Sequence, residues 1–183
     1  DLLAPMAAAG LLRVGISVTT LDARLSRQME PRCPTPARRL QVIRRLTDAG
    51  IPVRAMLAPV VPGLTDPEIE PILQAVQGAG AVAASFIALR LPREVAPLFQ
   101  DWLNRHVPDR AGKVMARVRE MHGGQDYDPA FGRRMTGDGI WAKLMAQRFA
   151  KAMSRLGLVF HMPPLRHDLF CPPPRTGDQL ALF

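Results

Sequence analysis

Thr35-Pro-Ala-Arg-Arg-Leu-Gln-Val-Ile-Arg-Arg-Leu-Thr-Asp-Ala-Gly-Ile-Pro-Val-Arg-Ala-Met-Leu-Ala-Pro-Val-Val61 is the stretch that decides the fold. Its first half has helical spacing. Leu40, Ile43 and Leu46 fall on one face, and Arg38, Arg39, Arg44 and Arg45 are expected toward solvent. Ala49-Gly50 stops that helix, glycine accepting the left-handed cap that a side chain resists. Residues 51–61 are then almost continuously apolar, the pattern of a strand buried on both faces. The same grammar occurs twice more. Ala9-Gly10 precedes an apolar run at 11–18, and Ala79-Gly80 precedes one at 81–91. Before the last run, Pro67 and Glu68 open a helix whose stripe is Ile69, Ile72, Leu73 and Val76. Helix–strand alternation with short turns implies an α/β fold with three parallel strands and right-handed crossovers.

Three parallel strands by themselves leave both sheet edges open. Their natural context is a larger α/β barrel or half-barrel, in which chemistry lies at the carboxyl ends of the strands. Those ends here read Ser17-Val-Thr-Thr-Leu-Asp22, Ala58-Pro-Val-Val-Pro-Gly-Leu-Thr-Asp66 and Arg90-Leu-Pro-Arg-Glu94. Turn and cap chemistry alone accounts for Thr65, Asp66 and Pro67. It accounts less well for Ser17, a hydroxyl inside an apolar run.

The ordered segments SVTTLD, RQMEP, TPARRLQVIRRLTDAGIPV, APVVPGLTDPEIEPIL and LRLPREVAPLF resemble the later half of a radical S-adenosylmethionine (SAM) protein, most closely the spore-photoproduct-lyase-like group labelled DNA repair photolyases. The resemblance covers about residues 1–158. It implies the C-terminal half of a partial (β/α)6 barrel. It also implies an enzyme in which a CxxxCxxC loop holds a [4Fe–4S] cluster and SAM is cleaved to a 5′-deoxyadenosyl radical. By position, Ser17 matches the residue whose hydroxyl meets the SAM ribose, with Thr19 as the fallback. Val60 and Val61 match the strand that packs against adenine, and Pro62 and Gly63 its turn. Leu89 and Arg90 match the end that shapes the adenine and substrate pocket. Glu30, in RQMEP, is expected to pair with Arg27 or Arg32 rather than face the site.

The chain departs from that pattern in one decisive respect: it contains no CxxxCxxC. Its two cysteines, Cys33 and Cys171, are far apart and cannot replace three clustered thiolates. The glycine-rich segment that contacts the SAM amino group is also missing. The simplest expectation is that the first three strands precede Asp1 and that the present chain is inactive by itself. Two cysteines make no disulfide framework, which fits a reducing cytoplasm. No apolar run reaches the roughly 18–20 residues of a membrane span. A net charge of +8 favours polyanionic partners such as DNA.

Three units are expected: a partial barrel over 1–95, a helical extension over 96–165 and a proline-rich tail over 166–183. In the extension, residues 95–107 read as a helix with Leu98, Phe99, Trp102 and Leu103 as its apolar set. Val114, Met115, Val118 and Met121 stripe a second, 126–139 is a loop, and 140–156 is the clearest helix, stopped by Gly157. Its cations, among them Arg110, Lys113, Arg117, Lys143, Arg148 and Lys151, read first as a solvated face and second as a phosphate-facing one. His106 and His122 fall at helix ends, where a ring nitrogen meets free carbonyls. His161, His167 and Cys171 match no strong zinc spacing. After Cys171-Pro-Pro-Pro, the tip Gln179-Leu180-Ala181-Leu182-Phe183 resembles the bacterial sliding-clamp-binding peptide, carried by Gln179, Leu180, Leu182 and Phe183. Three functions follow: a radical SAM enzyme acting on nucleic acid, a non-catalytic DNA- or clamp-associated module, and a radical SAM enzyme acting on protein or a small molecule.

Overall fold

A computed structural model describes residues 1–173. The tip residues Gln179, Leu180, Leu182 and Phe183 therefore lie outside the described residues. The element order is α1 (Leu3–Ala8), β1 (Val14–Ser17), α2 (Ala23–Met29), α3 (Pro36–Asp48), β2 (Val53–Val60), a 3-10 turn (Asp66–Glu68), α4 (Ile69–Gly78), β3 (Ala83–Ala88), α5 (Val95–His106), α6 (Pro108–Met121) and α7 (Gly139–Leu156). The three strands form one parallel sheet in the order β1-β2-β3. This is the three-stranded α/β arrangement expected of a partial radical SAM barrel. Each strand is shorter than its apolar run, because the ends of the runs supply turns and helix contacts.

Strand β2 is the centre of the fold. Val53, Ala55 and Leu57 are at most 1% exposed, and they share a core with Ile69, Ile72, Leu73 and Val76 of α4. Met145, Phe149 and Met153 of α7 complete that core, so the last long helix packs on the barrel layer. Arg148 of α7 donates to Glu70 of α4 at 2.8 Å and 2.5 Å, and this pairing holds the Glu70 carboxyl below its ordinary value. Leu103, Val114, Met115 and Val118 build a second cluster with Val61, Leu64, Leu89 and Leu91. Leu98, expected in that apolar set, is 66% exposed instead, because Ala96 and Leu103 hold the buried face of α5.

Pro59 is tolerated inside a central strand because β2 carries an irregularity there. Leu57 pairs with Phe86 and Val60 with Ala88, three residues against two. The free edge of β3, expected to be open, is partly covered. Val159 bridges Ala83 in parallel, and the Ala88 N–H donates to the Met135 carbonyl at 2.9 Å. From there the chain straps the amino-terminal end of the sheet. Arg54 of β2 donates to the Phe160 carbonyl (2.8 Å), and Arg13, just before β1, to that of Pro163 (3.2 Å). The Arg166 N–H reaches the Gly10 carbonyl at 3.0 Å.

The Ala-Gly stops behave as expected. Gly50 has φ +74° and Gly80 has φ +101°, both in left-handed territory. They differ in surroundings: a Cβ at Gly50 meets nothing, whereas one at Gly80 would lie 2.5 Å from Thr47 Oγ1. The Thr47 hydroxyl is tied to the Ile43 and Ala79 carbonyls and has no easy retreat. Gly50→Ala is expected to cost about 1 kcal/mol, the left-handed penalty alone, and Gly80→Ala roughly 2–4 kcal/mol, read as melting temperature. Equal losses would show that α3 and α4 are not locked at this contact.

Candidate functional site

Parallel register places side chains of paired residues on the same face. Ser17, Met56 and Ser85 form one row across the sheet, and Gly15, Arg54 and Ala83 the row below. This is the face opposite the α3–α4–α7 layer. Met56 lies over Gly15, whose Cβ would meet Met56 Cε at 3.1 Å. Ser17 closes β1 at its carboxyl end and is half-buried. Its hydroxyl makes no hydrogen bond among the described residues. It lines a cavity of about 230 Å³ with Gly15, Ile16, Pro34, Arg39 and Val42, at the unpaired edge of β1.

The residues after Ser17 are tightly engaged. Thr19 Oγ1 donates to Glu30 Oε2 at 3.0 Å, and Arg39 Nη2 donates to the same oxygen at 2.8 Å. Arg39 Nη1 reaches the Ser17 carbonyl at 3.0 Å and its Nε the Pro34 carbonyl at 3.0 Å. Arg39 is thus 9% exposed and not a solvent-facing cation, and it replaces Arg27 and Arg32 as the partner of Glu30. Burial is tolerated because every face of the guanidinium finds an acceptor. Thr20 Oγ1 donates to Glu68 Oε1 (2.6 Å), and the Leu21 N–H to Glu68 Oε2 (2.7 Å). Glu68 therefore ties the end of β1 to the turn that follows β2, a role beyond opening a helix.

At the end of β2, the turn is built as its sequence suggests. The Val61 N–H donates to Thr65 Oγ1 at 2.8 Å and the Gly63 N–H to Asp66 Oδ1 at 2.6 Å. Val60, Val61 and Leu89 have their side chains inside the two packed clusters, 3%, 0% and 6% exposed. Gly63 has φ +80° and lines a different cavity, of about 260 Å³, with Trp141 and Arg117, whose guanidinium stacks 3.5 Å from the Trp141 ring centre. At the end of β3, Arg90 Nη2 donates to the Tyr127 hydroxyl at 3.2 Å, and Nη1 meets Met135 Sδ at 3.2 Å. Ser17, Gly63 and Arg90 thus sit at three strand ends, and Ser17 and Gly63 line different cavities. Tyr127 and Glu68 have no sequence signal as site residues, since their partners lie 37 and 48 positions away.

Elsewhere, His122 Nδ1 donates to the Val118 carbonyl at 2.8 Å, the helix-end role expected of it. His106 instead packs on Trp102, with ring centres 5.3 Å apart. Both cysteines are exposed and free. Among the described residues no group of three His, Cys, Asp or Glu could hold a metal ion, so these residues do not fit an iron–sulfur cluster. No described helix is long and apolar enough to cross a membrane.

Uncharacterized proteins of Mycobacterium bovis and of two strains of Mycobacterium tuberculosis are each 30% identical to this chain over 139 residues. That stretch is 75% of the present chain and 40% of each relative, so the chain spans less than half the length of the curated relatives it matches. No solved structure matches significantly. Residues 1–76, which contain β1, β2 and the helices between them, match the Radical SAM superfamily.

Proposed function

We propose that this chain is the C-terminal part of a radical SAM enzyme of the lyase-like, DNA repair photolyase kind, acting in the cytoplasm on nucleic acid. In this reading 1–95 is the partial barrel, 96–165 the helical extension, and the cluster's three thiolates come from a preceding segment. The match of residues 1–76 to the superfamily carries the reading, because it spans two of the strand ends where such a barrel does its chemistry. SAM and a cluster, both bound, would supply the radical chemistry. This chain's part is to hold SAM. Ser17 offers a hydroxyl that both donates and accepts, suited to a ribose. Thr19, engaged with Glu30, acts by holding the end of β1 in place. Val60, Val61, Gly63 and Leu89 set the height of the adenine floor through backbone and packing. Arg90 stands at the substrate side.

One observation favours a second reading, a non-catalytic DNA- or clamp-associated module. Three of the assigned positions, Val60, Val61 and Leu89, turn their side chains into closed cores. Cleavage of SAM by a polypeptide joining this chain to a preceding CxxxCxxC segment separates the two. Turnover supports the enzyme, and its absence in a cluster-loaded protein supports the module.

In that joined polypeptide, Ser17→Ala is expected to weaken SAM binding by about 0.5–1.5 kcal/mol, up to roughly tenfold, with the cluster absorbance unchanged. Unaltered SAM affinity removes Ser17 from the site. The 183-residue chain alone is expected to take up no stoichiometric cluster on anaerobic reconstitution with iron and sulfide. A full [4Fe–4S] signal would contradict the assignment of its ligands to another segment.

The tail is proposed as the tether to a sliding clamp. A peptide covering 172–183 should bind a bacterial clamp with Leu182 and Phe183 as apolar anchors and Gln179 as the polar one. Each anchor contributes roughly 1.5–3 kcal/mol before the cost of ordering, which sets micromolar affinity. Replacing both anchors with alanine should abolish binding and leave the melting temperature of the chain unchanged. Loss of stability without clamp binding in the wild type would instead place these side chains against the fold.

A further inference from the structure

Arg90 is a half-buried cation without an anion. It leaves the carboxyl end of β3 between Leu89 and Leu91, which are 6% and 1% exposed. Among the described residues no carboxylate lies within ion-pair distance of it, unlike Arg39 and Arg148, which are paired to Glu30 and Glu70. Its partners are a thioether, Met135 Sδ, and a neutral phenol, Tyr127. Its Nε is buried and unpartnered. A guanidinium carries five N–H donors, and two weak acceptors leave most of that capacity unused. Keeping a charge in such surroundings is unfavourable, and an unsatisfied buried donor calls for a specific explanation.

Tyr127 sharpens the chemistry. Its oxygen accepts from Arg90, which leaves its own O–H free to donate, polarised by the neighbouring cation. The pair therefore offers donors and no anionic acceptor. The Tyr127 ring lies against Arg90, 5.8 Å from the ring centre, and near buried His122, with ring centres 6.5 Å apart. The loop that carries it is fixed at Asp126 by Gln100 (2.9 Å) and Arg119 (2.7 Å), and at Met135 by the Ala88 N–H. These contacts give the donor pair a rigid mount at the strand end.

We propose that Arg90 and Tyr127 form an oxyanion site for a phosphate or carboxylate group of the molecule on which the enzyme acts. The assignment of that molecule as substrate rests on the radical SAM reading above. The anion site itself does not, and it can be measured without cluster or SAM.

The test is thermal melting and titration of the full chain with inorganic phosphate and, separately, with acetate, each against chloride at equal ionic strength. Wild type should be stabilised by phosphate, by acetate or by both, and the preference identifies the group. Tyr127→Phe, which keeps the ring, should weaken the apparent Kd about threefold to tenfold. Arg90→Lys, which keeps the charge and loses the fork, should weaken it further, and Arg90→Met should abolish the response. Circular dichroism of each variant checks folding, and Tyr127→Phe remains informative if Arg90→Met unfolds. No anion response beyond chloride in wild type, or an equal response in wild type and Tyr127→Phe, overturns the proposal. Failure here leaves SAM cleavage by the joined polypeptide untouched, so the two readings fail separately.

Discussion

Burial of the central strand is the constraint on which the rest of the structure depends. Val53, Ala55 and Leu57 present a flat apolar face that only a helical layer can cover. α4 covers part of it, and α7, arriving from more than sixty residues further along the chain, covers what remains. The opposite row, Ser17, Met56 and Ser85, is mixed in polarity and half-exposed. The asymmetry decides where chemistry can occur. Apolar packing fixes one side of the sheet, and the other side, with Ser17, Gly63 and Arg90 at the strand ends, stays partly exposed.

Those strand ends are held by polar stitches as well as by the apolar clusters that take in Val60, Val61 and Leu89. Glu68 holds the end of β1 against the turn after β2, and the Glu30–Arg39 pair holds it against α2 and α3. Arg39 is also the only described link between the Ser17 carbonyl and a helix. Position at Ser17 is thereby set by three chain segments at once, a rigidity that suits the ribose-holding role proposed for it.

Much of the architecture was legible because its signals are local. Ala-Gly followed by an apolar run marks a helix stop and a strand start within a dozen residues, and the stripe Ile69, Ile72, Leu73, Val76 needs no knowledge of its partner. What could not be read depends on distant groups. Arg39 looks solvent-facing until Glu30 and the Ser17 carbonyl are brought to it. Leu98 fits an apolar helix set, yet faces water because the helix rolls onto Ala96 and Leu103. The covering of the β3 edge by Val159 and Met135 is likewise a long-range event. At the site, Ser17 stood out as a hydroxyl in an apolar run. Tyr127 did not, since an isolated tyrosine in a polar loop acquires meaning only beside Arg90.

The strap across the amino-terminal end of the sheet gives the molecule a mechanical polarity. Its ties run through the carbonyls of Val159, Phe160 and Pro163 and the amide of Arg166. All of them lie at the pole opposite Ser17, Gly63 and Arg90. They join the segment after α7 to Gly10, Arg13 and the first residues of β2 and β3. The strap and the carboxyl ends of the strands are thus held by two separate sets of polar contacts, one at each pole of the sheet.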